Sequence, residues 1–94
     1  MRPPVTTGLS GTITTGGAAQ TLAAANANRQ GLWVQNQSTA ALWINFEETA
    51  VASQPSIKID AGALYETPAH WCPIGSVSII GATTGQAFAA REWE

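Results

Sequence analysis

Charge is what this 94-residue chain most lacks: Asp, Glu, Lys and Arg make up 11% of it, against roughly a quarter of an average soluble domain. Its four basic residues, Arg2, Arg29, Lys58 and Arg91, are scattered, and the net charge is −2. Nucleic-acid binding draws on a basic patch, so no nucleic-acid partner is expected. A single cysteine, Cys72, excludes an internal disulfide and suits synthesis in a reducing cytoplasm. No apolar run approaches the ~20 residues of a membrane helix, so no membrane partner is expected. Residues 1–11 lack the apolar core of a signal peptide, and classical secretion is not expected either.

Catalytic constellations are missing too. The one histidine and the one cysteine, His70 and Cys72, fall two residues apart in Pro68-Ala69-His70-Trp71-Cys72-Pro73. A nucleophile pair needs a third group to orient the histidine, and no carboxylate is near. Two ligands are also too few for a structural zinc site. The segment reads as a packed loop capping one end of the domain. Glu47-Glu48 is an adjacent acidic doublet near a strand end, where side chains diverge, which suits neither paired-carboxylate catalysis nor a calcium site. There is no GxGxxG, phosphate loop or GxSxG. No enzyme activity, metal or cofactor is expected.

What the chain does have is hydroxyl and amide side chains, small residues and short apolar segments. Hydrophobic residues reach 45%, many of them alanine. A chain of this length makes one domain and buries roughly 60–65% of the surface its unfolded form exposes. A polar but weakly charged exterior has two readings. It is either a plain β domain, or a subunit partly covered by its own copies or by another protein. The second is preferred, since charge is depleted at interface cores and charge keeps monomers apart.

Pro3-Pro4 favours extended geometry, so residues 1–11 are expected as an extended N-terminal arm and 12–94 as a single domain. The rest divides into short segments bounded by turn residues, the pattern of a small sandwich or barrel. Segment 9–15 is rich in Thr and Ile and ends at Gly16-Gly17. Segment 18–25 carries alanines that favour helix, but it is short, lacks an apolar stripe at helical spacing and meets the turn Asn26-Ala27-Asn28, so it reads as strand. In 56–60, Ile57 and Ile59 alternate with Ser56, Lys58 and Asp60. Strands are further expected over 64–67, 76–80 and 86–93, with a two-proline loop over 68–75 and a turn over 81–85. The sum is an all-β domain, a β-sandwich or jelly-roll-like barrel of about eight short antiparallel strands.

Residues 32–36 and 41–46 are expected to pair as a hairpin. Alternation puts Leu32 and Val34 on one face, Trp33 and Gln35 on the other. Leu42, Ile44 and Phe46 likewise oppose Trp43 and Asn45. If both aliphatic sets reach one core through an odd-length loop (37–39 or 38–40), Trp33 and Trp43 share the non-core face. That face is open to three readings: packing under another segment of the chain, a protein interface, or a sugar-stacking platform. Candidate interface residues are Trp33, Trp43, Pro3, Pro4, Trp71 and Trp93.

The runs Asn26-Ala27-Asn28-Arg29, Leu32 to Ser38 and Leu42 to Phe46 resemble a group of small proteins encoded by tailed bacteriophages and prophages. Ser56 to Ile59, Val77 to Gln86 and Arg91-Glu92-Trp93 fit the same pattern, which covers about residues 21–93. The matching features are structural turns and strands. The resemblance implies a virion component of β-sandwich type, acting in capsid decoration or as a head or tail accessory. The implied partners are the major capsid protein or other virion proteins, with homo-oligomers, trimers foremost, and an arm that pairs with a neighbour by strand addition. The chain departs from the group at Glu47, where a glycine is expected after Phe46, and at Ala61-Gly62, where Pro-Gly is common. A tail- or fibre-borne carbohydrate- or receptor-binding module is the alternative, and a host-directed regulator a third.

Overall fold

The computed structural model describes residues 5–68 and 71–94; Pro3, Pro4 and His70 lie outside them. Among the described residues there are nine strands and no helix. They are β1 (Thr6–Gly8), β2 (Gly11–Thr12), β3 (Gln20–Ala23), β4 (Gly31–Asn36), β5 (Leu42–Phe46), β6 (Ile57–Ile59), β7 (Leu64–Glu66), β8 (Val77–Gly81) and β9 (Ala87–Trp93). One sheet has the order β1-β9-β4-β7, with β2 also pairing β9; the other is β3-β8-β5-β6.

All pairings are antiparallel, and they nest: β1 with β9, β3 with β8, β4 with β7, β5 with β6. The chain is thus one long hairpin rolled up, closed by β4 against β9 and β5 against β8. With β1 and β2 counted as one interrupted edge strand, this is the jelly-roll order. The extra strand arises inside the segment expected as an arm. Thr6, Thr7 and Gly8 pair with Trp93, Glu92 and Arg91 of the same chain, so this part is held by its own sheet.

Alternation explains the core. Leu32 and Val34 point inward from the first sheet, Leu42, Ile44 and Ile79 from the second, and all are completely buried. Ile59 is buried while Lys58 beside it is exposed, the pattern expected of 56–60. The Asp60–Ala63 turn closes with Ala63 N–H donating to Asp60 O at 2.9 Å. Gly62 takes φ +78° there, as a turn of this kind requires at its third residue.

The expected hairpin is corrected. Residues 32–36 and 41–46 do form strands, but β4 and β5 belong to different sheets, and the segment between them crosses the end of the sandwich. The alternation is the same in either arrangement, because two facing sheets send aliphatic residues toward one core just as a one-faced hairpin does.

Asn36 makes the crossing possible. It is completely buried, and its side chain replaces the ladder that a hairpin would have supplied. Nδ2 donates to Ala40 O at 2.7 Å and Ile59 O at 2.9 Å. Oδ1 accepts from Ser38 N–H at 2.9 Å and from Ser38 Oγ at 2.7 Å. Gln86, also buried, donates from Nε2 to Ser38 Oγ, Ala40 O and Ala41 O, and accepts from Thr83 N–H. Both amides are fully used, which is what burial of such groups demands.

Removing the Asn36 amide leaves Ser38 and the carbonyls of Ala40 and Ile59 without these partners. Asn36→Ala is expected to lower unfolding free energy by about 2–4 kcal/mol, read from the midpoint of urea denaturation. Gln37→Ala, at an exposed neighbour, should stay within about 0.5 kcal/mol.

Candidate interaction surfaces

The end of the sandwich opposite Asn36 is organised by Arg29. Asn26 folds the preceding turn, its Oδ1 accepting Asn28 N–H at 3.0 Å and its carbonyl accepting Arg29 N–H at 3.1 Å. This directs Arg29 inward, where its side chain has no solvent exposure. Nε donates to Glu92 Oε1 at 2.8 Å. Nη1 donates to the carbonyls of Pro73 and Gly75 at 2.8 and 2.9 Å, and Nη2 to that of Ala24 at 2.7 Å. A buried guanidinium is tolerable only when its charge is paired and its donors are satisfied, and both conditions hold.

Arg29 fixes the loop after β7 from inside. Asn26 N–H donates to Ile74 O at 2.7 Å, so the carbonyls of Pro73, Ile74 and Gly75 are all tied to the 26–29 turn. Glu47 lies across Gly75, where any Cβ would run into its side chain. Glu47 itself has φ +68°, the left-handed conformation that glycine adopts without penalty. The resemblance anticipated a glycine at this position, and the backbone takes the shape one would have.

The fixed loop turns two apolar side chains outward. Trp71 is 56% exposed and Ile74 48%. Trp71 stands edge-on to Phe46, centroids 6.4 Å apart, and Phe46 leans on Tyr65 at 6.1 Å. Burial pushes the Tyr65 phenol up from its ordinary value, and the nearby Cys72 thiol pushes it in the same direction. The described part of this loop, 71–75, lies at one end of the domain and presents an apolar tip.

The outer face of the first sheet is a second surface. Trp33 pairs with Arg91 on β9 and with Glu66 on β7. One step along, Gln35 lies between Ala89 and Leu64, and Leu64 is 58% exposed. One step the other way, Trp93 lies on Gly31, which has no room for a Cβ beneath the indole. Trp33 and Trp93 therefore share a face.

Trp43 does not join them, which corrects the shared-face expectation. It sits on the outer face of the second sheet opposite Ile80, which is buried there, apart from the core between the sheets. Lys58 Nζ stands 5.7 Å from the centroid of the Trp43 ring, within range of a cation–π contact. The segment after β5 folds toward the same face, Ala50 being buried with its N–H donating to Ser78 Oγ at 3.0 Å. Trp43 is half-buried there, as Trp33 is on the first sheet.

A polar cleft beside that segment is lined by Gln20, Thr21, Glu47, Glu48, Ser76 and Ser78. Among the described residues no group of three or more His, Cys, Asp or Glu side chains is placed to hold a metal ion. No helix among the described residues is long and apolar enough to cross a membrane. No family model matches the chain, and no curated protein or solved structure matches it significantly.

Arg29→Met strands the Glu92 carboxylate and three carbonyls, and is expected to destabilise the fold by about 3–5 kcal/mol. Arg29→Met/Glu92→Leu should recover part of that loss in thermal melting, while amide exchange at Ile74 and Gly75 stays fast because the loop has lost its anchor. Tyr65 is the only tyrosine, so its ionisation can be followed by ultraviolet absorbance alone. Its folded-state pKa is raised, so its contribution to stability is complete below the unfolded value near 10 and is lost as pH rises through the folded value. Tyr65→Phe should flatten that alkaline loss, and Cys72→Ser should reduce the phenol's shift.

Proposed function

We propose that the chain is a non-enzymatic structural subunit of a tailed-phage particle, a capsid decoration or minor head protein bound to the major capsid protein or another virion protein. The observation that carries this reading is the apolar tip. A buried ion pair and a set of loop carbonyl contacts hold residues 73–75, and the loop so held exposes a tryptophan and an isoleucine. Ordering long side chains and desolvating a charge are unfavourable by themselves. A fold that meets those demands to fix an exposed apolar loop makes sense where the loop enters another protein. Pre-ordering also removes an entropic cost from association, and tryptophan is enriched among the residues that dominate interface energies.

The weak charge and the resemblance to small phage proteins support the same reading. Binding would proceed by burial of the Trp71 and Ile74 side chains in a complementary pocket, without chemistry on the partner.

Mass spectrometry of purified virions from the encoding phage or prophage tests the proposal. The chain is expected in stoichiometric multiples of the particle symmetry, and its absence from virions overturns the reading. Trp71→Ala/Ile74→Ala should reduce copies per particle by about tenfold or more while leaving a cooperative melting transition. A loss of thermal stability large enough to account for the missing copies would assign the two side chains to packing instead.

A further inference from the structure

We propose that the outer face of the first sheet is a twofold contact between two copies of this chain, with Trp33 at the axis. The inference stands on the pattern of that face and is independent of what the tip binds.

The register places residues in rows across the sheet. One row runs Gly8, Arg91, Trp33, Glu66; the next runs Ala89, Gln35, Leu64. In the first, a cation and an anion flank the tryptophan on opposite sides. Among the described residues, neither Arg91 nor Glu66 has an ion-pair partner within the chain. Arg91 Nη1 donates instead to the Thr6 hydroxyl at 3.0 Å. Both charged residues are exposed.

This is a self-complementary pattern. Consider a half-turn about an axis lying in the contact plane and running along β4. It exchanges the two sides of the face, so Arg91 meets Glu66 of the second copy, Glu66 meets its Arg91, and the two Trp33 side chains meet at the axis. The same operation sets Leu64, the most exposed of the large apolar side chains, over Ala89 of the second copy, large against small. A half-turn about the perpendicular in-plane axis would oppose Arg91 to Arg91 and Glu66 to Glu66. Charge thus selects one of the two orientations, which is the part electrostatic complementarity plays at interfaces.

Size sets the strength. Three strands about 4.8 Å apart and about five residues at ~3.3 Å rise give a patch of roughly 15 by 17 Å. That is about 250 Å² per copy, well under the roughly 800 Å² per partner of a standard specific interface, so the dimer is weak and forms only with rising concentration. A closed trimer, the cluster the resemblance implies, would need two different patches meeting head to tail; this face matches itself.

Sedimentation equilibrium of the full chain, from low micromolar to near millimolar, is the test. A monomer–dimer equilibrium is expected. Arg91→Glu or Glu66→Arg alone should weaken it by about tenfold, because each sets like charges face to face. Combining the two substitutions in one chain should restore it, and so should mixing the two single variants, which re-creates opposite pairs across the axis. Trp33→Ser should abolish it, with circular dichroism and melting verifying the fold of every variant. A chain that stays monomeric throughout overturns the proposal, as do a trimer, a dimer indifferent to charge reversal, or a double variant that is not rescued. Glycan-array binding that depends on Trp33 in a monomeric chain would give the face to a carbohydrate instead. Trp71→Ala/Ile74→Ala should leave the dimer intact, so failure here is separable from failure of the tip to bind a virion protein.

Discussion

Everything at one end of this molecule depends on a single cation in the interior. Glu92 occupies a core-facing position on β9, opposite Leu32, where an unpaired carboxylate could not remain charged. Arg29 answers it and, with the donors left over, collects the carbonyls of Ala24, Pro73 and Gly75. Two connections that would otherwise be independent loops, β3–β4 and β7–β8, become one cap tied to β9. At the far end of β4 and β9 the neutral amides of Asn36 and Gln86 do equivalent work for the crossing between sheets. The aliphatic core lies between two polar plugs, and among the described residues no buried side-chain nitrogen or oxygen lacks a partner.

The strands were legible because the side-chain period of two is a local property. Ile57 and Ile59 around Lys58, or Leu42 and Ile44 around Trp43, announce one buried face whatever the topology. Pairing was not legible, and the hairpin shows why. A β-hairpin over one core and two strands in facing sheets produce the same alternation, and the short polar segment between Asn36 and Ala41 suits either. What separates them is the direction of the Asn36 amide, which bonds across to Ile59 O, a partner distant in sequence. Within the segment 1–11 the limit is simpler: a proline pair at its start says nothing about Thr6–Gly8, whose partners lie at the other terminus.

The surfaces were legible in part. That tryptophans would stand outside the core followed from parity, and Trp33 and Trp93 do so on one sheet. That Trp43 would stand on the other sheet followed from nothing local, since its neighbours Lys58 and Ile80 reach it only through β6 and β8. Arg29 could have been found. Along β9 the inward positions are Phe88, Ala90 and Glu92, and a carboxylate in that series demands a buried cation from one of only four basic residues. Glu47 shows the converse: its left-handed backbone falls on a residue that disfavours it, where the resembled group was expected to carry glycine.

The two surfaces are related by direction. The tip lies at the end where β4 begins and β9 ends, whereas the Trp33 face looks sideways from the first sheet. An axis running along β4 reverses the sideways direction and preserves the lengthwise one. Two copies joined through the Trp33 face would therefore carry both Trp71–Ile74 tips at the same end, aimed at the same side. If each tip binds a virion protein as proposed, a pair held in that way would meet a repetitive surface with two contacts at once, the second forming at the effective concentration fixed by the first. Under those two proposals, weak contacts at each tip and across the dimer would suffice for firm attachment to an ordered array of sites. The same contacts leave the chain free to dissociate wherever those sites are isolated.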